Sequence, residues 1–292
     1  MIYTIENENL RIQINSRGAE LWSLFDKRTN TEHLWQGDAA YWGERSPILF
    51  PICGRLRNSE YRLNERKYSM QLHGFARNCE HSLVSLEANK AVFRLVQSES
   101  TLAQYPFPFQ LDSVFILEGS KLNYSFEVTD TGSERLPFSI GYHTGYRIPF
   151  DKQHTTEDYS IVFEKKETPT QLLEAGLLTG ETYVPMRDER VMPVRRDMFP
   201  QSYVLKGIQS EYVGIVENKT GREVRVTFKD FPYLLMWSTQ REVPFICLEP
   251  WCGLPDRMDF EGSFLEKPEL QIISPGECFC RTQTIEIIHN IF

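Results

Sequence analysis

Short apolar alternations broken by turn residues recur along the whole chain, while helical periodicity is scarce. Leu10, Ile12 and Ile14 alternate with polar residues as far as Ser16-Arg17-Gly18, and a β-rich run resumes from Glu20 to Phe25. The spacing predicts an opening hairpin. Ser82 to Leu86, the pair Asn89-Lys90 and Ala91 to Val96 repeat the strand, turn, strand order. So do Val114 to Leu117 with Leu122 to Val128, and Tyr212 to Val216 with Val224 to Phe228 across Asn218-Lys-Thr-Gly221. Hairpins at this density, with no αβ alternation, predict an all-β protein built as a large antiparallel sandwich. Residues 151–200 carry the least regular pattern, rich in Glu, Thr, Pro and Arg, and read as a long excursion over the sandwich. No fixed-period repeat, linker or composition shift divides the chain, so one domain over residues 1–292 is expected.

Composition narrows the class of partner. Hydrophobic residues at 41% and charged ones at 25% suit a globular protein with a sizeable core. A net charge of −8 offers no general attraction to nucleic acid or to an anionic membrane surface. The N-terminus lacks the basic-then-apolar order of a secretory signal, and no apolar run reaches the ~20 residues of a membrane span. A cytoplasmic location is expected. Cys53, Cys79, Cys247, Cys252, Cys278 and Cys280 form no C-x-x-C pair or ligand array, so reduced structural thiols and no metal are expected. The histidines likewise lack close H-x-H spacing.

Four positions stand out as candidate chemistry. Arg55 follows a glycine at the end of the apolar run Pro47 to Gly54; its guanidinium suits sugar hydroxyls, and equally suits a surface carboxylate. His73 stands in Leu72-His-Gly-Phe-Ala-Arg77, where Gly74 allows close backbone approach; a buried structural histidine is the alternative. His143 lies in Gly141-Tyr-His-Thr-Gly-Tyr146, and the flanking tyrosine rings are expected to stack on a pyranose beside the imidazole; a turn with a capped histidine is the alternative. Glu249 ends the run Phe245-Ile-Cys-Leu-Glu. As a strand, this run places Phe245, Cys247 and Glu249 on one face and Ile246 and Leu248 on the other, so a carboxylate buried between two apolar faces is expected to have a raised pKa; a structural buried Glu paired with Arg is the alternative. Pro250 restricts Glu249 to extended backbone. His33, His81, His154 and His289 lie in polar or terminal settings and read as structural.

With these residues in hand, the chain resembles the aldose 1-epimerase (galactose mutarotase) family, in particular its LacX-like branch. The resemblance rests on an ordered set of motifs: Leu34-Trp-Gln-Gly-Asp38 with Tyr41-Trp42, Phe50-Pro-Ile-Cys-Gly-Arg55 with Asn58, His73-Gly-Phe-Ala-Arg77, Gly141-Tyr-His143, Leu248-Glu-Pro-Trp251 and Ser274-Pro-Gly-Glu277. It implies a galactose-mutarotase-type sandwich with Glu249 as general base, His143 as general acid, and His73 and Arg55 orienting the sugar. Two departures stand out. The family's Gly-His-Pro is here Gly141-Tyr-His-Thr144, and the aspartate that holds sugar hydroxyls in galactose mutarotases has no placed counterpart, leaving Trp237 as that wall.

The implied reaction is exchange of α and β anomers by ring opening and closure, which requires one base, one acid and no metal, nucleotide or redox cofactor. A hexose-6-phosphate epimerase is the rival within the superfamily, with Arg57, Arg77 or Arg147 to hold the phosphate. A noncatalytic carbohydrate-binding protein would not need His143 together with Glu249. A glycosidase would need a second carboxylate about 5–9.5 Å from Glu249, and no comparably marked partner stands in the sequence.

Overall fold

A computed structural model describes residues 1–240 and 242–289. The predicted hairpins form, and every strand pairing within the sheets is antiparallel. The larger sheet has nine strands in the order Glu189–Pro193, Tyr159–Glu167, Tyr212–Glu217, Glu223–Thr227, Cys278–Ile288, Lys121–Asp130, Phe109–Glu118, Lys90–Val96 and Ser82–Leu86. A second sheet runs Leu178–Tyr183, Thr170–Glu174, Tyr203–Lys206, Tyr233–Trp237 and Phe245–Cys252. Beyond these come Ile140–Tyr142 and Ile48–Leu49, and Thr144–Arg147 also pairs with Phe245–Cys252. A four-stranded sheet, Ile2–Glu6 to Thr31–Glu32, carries the opening hairpin. No helix among the described residues is long and apolar enough to cross a membrane.

Alternation along the strands explains how the two large sheets pack. Phe115, Tyr124, Phe126, Ile161, Ile215, Val226 and Ile285 from the nine-stranded sheet share one apolar cluster with Leu234, Met236, Ile246 and Leu248 from the second. The opposite face of the second sheet then presents Leu235, Trp237, Cys247, Glu249 and Trp251, the odd-numbered residues of two adjacent strands. All eight residues of Phe245–Cys252 are buried, as its two apolar faces predicted. Residues 151–200 depart from expectation: they are no excursion over the sandwich, because they supply strands to both large sheets. Bulged pairing of Tyr159–Glu167 with Glu189–Pro193, and of Thr170–Glu174 with Leu178–Tyr183, breaks the period-two pattern. All six cysteines are free thiols.

Candidate active site

The cleft on that odd-numbered face is lined by Trp42, Arg55, His73, His143, Trp237 and Glu249, among others, and encloses about 290 Å³. All five residues singled out in the sequence therefore meet here. Strand register explains the central pair. Gly141 pairs with Trp251 and Thr144 with Leu248, so His143 stands directly across from Glu249. Pro250 has no N–H to give the ladder, and the pairing lapses between these two points. His143 Nε2 lies 3.5 Å from Glu249 Oε2.

Glu249 is buried, His143 is partly buried, and each has an atom without a partner. Glu249 is 1% exposed, and neither its Oε2 nor His143 Nδ1 has a hydrogen bond. Burial, reinforced by Glu174, pushes the Glu249 carboxyl well above the usual carboxylate range. Burial, with His73 and Arg77 nearby, holds the His143 imidazole well below its ordinary value. Both shifts favour the neutral forms, a carboxylic acid beside a neutral imidazole; the ion pair is its isomer with the same proton count.

His73 is fixed by a turn that its sequence dictates. Both His73 and Gly74 adopt positive φ, and a Cβ at Gly74 would meet Phe50 O at 2.2 Å, so only glycine fits there. The His73 N–H donates to Gly54 O at 2.9 Å, and the Gly54 N–H donates to His73 Nδ1 at 3.0 Å. An accepting Nδ1 leaves the proton of the neutral ring on Nε2. Burial and Arg55 push the His73 pKa down to about 3, so the ring stays a neutral donor across the working pH range.

The aromatic wall differs from expectation. Tyr142 and Tyr146 are buried in the core, and the Tyr142 hydroxyl donates to Tyr124 O, so neither ring can stack on a sugar here. Their number parity is opposite to that of His143, and strand alternation sends them to the other face. Trp42, Trp237 and Trp251 line the cleft instead. Trp42 stacks on His143 with ring centroids 4.9 Å apart, and its indole N–H donates to Glu44, which in turn pairs with Arg77. A Cβ at Gly141 would meet Trp251 Cδ1 at 2.6 Å, so glycine opens the space for that indole, whose N–H donates to Tyr142 O.

Two lining carboxylates escaped sequence reasoning. Glu44 carried no marker beyond its nearness to Tyr41-Trp42. Glu174 falls in the irregular 151–200 stretch; burial raises its pKa, partly offset by Arg55. The cleft therefore holds two carboxylates besides Glu249, neither of them marked in the sequence. Of the three arginines considered for a phosphate, only Arg77 lines the cleft. Arg57 donates to Phe260 O and pairs with Glu261 outside it, and Arg147 sits opposite Phe245 at the far end of its strand.

The sequence profile of the aldose 1-epimerase family matches residues 1–283. The chain belongs to the aldose 1-epimerase family. The plasmid LacX protein of Lactococcus lactis subsp. lactis is 34% identical over 301 residues, covering 99% of this chain and 100% of that one. A galactose mutarotase related enzyme from Lactobacillus acidophilus superposes with a TM-score of 0.94 at 28% identity, covering 99% and 97% of the two chains. A galactose mutarotase-like protein from Lactobacillus casei gives 0.91 at 28% identity, covering 99% and 100%.

Proposed function

We propose that this epimerase-family member exchanges the α and β anomers of a free aldohexose by acid–base ring opening, without a cofactor. The observation that carries the reading is the cross-strand pair of buried Glu249 and partly buried His143, 3.5 Å apart in a cleft of monosaccharide size, with Glu249 Oε2 and His143 Nδ1 free of hydrogen bonds. In the ion-pair form, Glu249 takes the proton of the anomeric hydroxyl while His143 gives one to the ring oxygen. The bond from C1 to the ring oxygen breaks, and an open-chain aldehyde forms. The pair is now carboxylic acid and neutral imidazole, its other isomer. After rotation about the C1–C2 bond the acid returns its proton to the carbonyl oxygen, the imidazole takes the hydroxyl proton, and the ring closes on the opposite face. Both isomers of the pair have the same proton count, so no proton need be exchanged with solvent between the two half-reactions. His73 Nε2–H and the Arg55 guanidinium hold hydroxyls, and Trp237 walls the ring.

The cations of the cleft favour a free sugar over a phosphorylated one. Among the described lining residues these are Arg55 and Arg77; Arg77 is neutralised by Glu44, and Arg55 faces the field of Glu174. A phosphate dianion there would meet carboxylates as readily as guanidinium groups. Polarimetry on freshly dissolved pure anomers tests the reading, with relaxation of glucose or galactose faster than the buffer rate as the expected result. Acceleration confined to hexose 6-phosphates would assign the phosphate-specific reaction. Release of reducing sugar from glycosides would assign hydrolysis, with Glu174 as the second carboxylate.

A further inference from the structure

Cys247 takes no part in the anomer exchange, yet it lies among the groups that do. Its Sγ, a ring nitrogen of His143 and a carboxylate oxygen of Glu249 all lie within 4.8 Å of one another. Two features of the sheet bring this about: Cys247 and Glu249 share a strand face at i and i+2, and His143 stands across the ladder from Glu249. No spacing rule along the sequence could find the trio, because its members come from strands about a hundred residues apart in the chain.

Three features point to a ligand at their common centre. First, Glu249 Oε2 is buried without a hydrogen bond, so it stands ready for a partner other than the protein. Second, one thiol, one imidazole and one carboxylate make the mixed S, N, O set that suits zinc and its borderline-soft neighbours rather than magnesium or calcium. Third, bonds of about 2.0–2.3 Å in a tetrahedral site set ligand atoms roughly 3.3–3.8 Å apart. His143 Nε2 and Glu249 Oε2 already stand at 3.5 Å. A shift of about 1 Å brings any pair at the wide limit into range.

We infer that His143, Cys247 and Glu249 form a binding site for a thiophilic divalent cation, and that this cation shuts the sugar reaction off. Binding replaces protons: the thiol proton of Cys247 and the proton shared by Glu249 and His143 both leave to solvent as the ion enters. The imidazole lone pair and the carboxylate that would accept and return protons are then engaged by metal. Sugar and cation therefore exclude each other. The inhibitory half of this inference rests on the proposed anomer exchange, whereas the site itself does not.

Cobalt(II) is the probe, because a thiolate ligand gives it a near-ultraviolet charge-transfer band that carboxylate and imidazole do not. Exposed Cys278 and Cys280 share one strand face and could also take the probe, so the experiment uses the full chain with Cys278→Ser and Cys280→Ser. One equivalent of cobalt should give the band, zinc should remove it, and saturating sugar should suppress it. Adding Cys247→Ser should abolish the band, with near-ultraviolet circular dichroism verifying the fold. Cys247→Ala gives a second variant should serine perturb packing. Zinc should halt mutarotation reversibly in the Cys278/Cys280 background. The concentration for half-inhibition should rise by about tenfold or more on Cys247→Ser, since loss of a ligand weakens a site at least as much as loss of an outer hydrogen-bond partner. Absence of the band in that background, or its persistence without Cys247, would overturn the site. A full cobalt band with undiminished turnover would overturn the inhibition. Failure of the metal-free protein to accelerate any mutarotation would instead count against the proposed activity, while the cobalt spectra would still decide the site.

Discussion

The protein contains two His–Glu pairs, each a partly buried histidine against a buried glutamate, with the same separation and opposite character. His143 and Glu249 lie 3.5 Å apart, and so do His154 and Glu217, with Glu249 1% exposed and Glu217 0%. Glu217 is saturated: it accepts the backbone N–H groups of Lys219 and Thr220 at 2.9 Å each, and the Thr220 hydroxyl. His154 Nδ1 lies 2.7 Å from Asp151, which also pairs with Arg222. These hydrogen bonds outweigh burial and hold Glu217 below the usual range, whereas at Glu249 burial, reinforced by Glu174, prevails over the lowering effect of Trp251 and pushes the carboxyl well above it. Distance and burial therefore do not separate the two pairs. Unmet hydrogen-bonding capacity does: Glu249 Oε2 and His143 Nδ1 have no partner, whereas both oxygens of Glu217 are engaged.

The largest test of this contrast is Glu249→Gln. Turnover in polarimetry should fall by about 10²-fold or more, because the amide keeps size and most contacts but cannot accept a proton. His73→Ala should instead mainly raise KM and leave a residual rate that depends on Glu249. A folded Glu249→Gln protein turning over near the wild-type rate would move the base elsewhere.

Glu217→Gln should do the reverse. Losing the carboxylate that ties down the 217–220 turn should cost about 1–3 kcal/mol in denaturant unfolding, with turnover unchanged. If activity falls while stability holds, the two pairs are not the opposites described above.

Opposite shifts also predict opposite pH dependence of stability. Glu217, lowered in the fold, adds stability that is present above the unfolded value of about 4.3 and is lost as pH falls through its folded value. Glu249, raised in the fold, adds stability that is full below about 4.3 and is lost as pH rises through its folded value. Thermal unfolding from pH 3 to 8 should therefore show the deficit of Glu217→Gln shrinking towards acid. Over the same range, the gain of Glu249→Gln should grow with pH, by up to about 1.4 kcal/mol per pH unit until it levels. Parallel curves for the two variants would sink the comparison. The smallest expected effect is that of a chelator: EDTA should leave mutarotation intact, and loss of activity restored by one divalent ion would reject the metal-free mechanism.

Much of this was legible from residues alone. Leu10 to Phe25, Ser82 to Val96 and Tyr212 to Phe228 read as hairpins because apolar alternation and turn residues agree, and they fold so. Phe245 to Glu249 read as a strand with two buried faces for the same reason. The tyrosines beside His143 were misread because nearness in sequence was taken for a shared face; in extended backbone, parity sends Tyr142 and Tyr146 into the core. The strands of residues 151–200, and Glu174 with them, were illegible because bulges interrupt the period that makes a strand visible.

By itself the sequence determined the all-β class, most hairpins, and the identity of Glu249, His143, His73, Arg55 and Trp237 as the polar and aromatic residues to watch. Those features are local: alternation, turn chemistry and a charged residue in an apolar run act over a few positions. Only the tertiary structure decided that Glu249 faces His143 across a lapsed ladder, that Glu44 and Glu174 share their cleft, and that Cys247 joins the pair. It also decided that Glu217, equally buried, is tied off by its own turn. Pairing between strands far apart in the chain sets those contacts, and whether a buried carboxylate finds donors depends on which backbone the fold brings beside it.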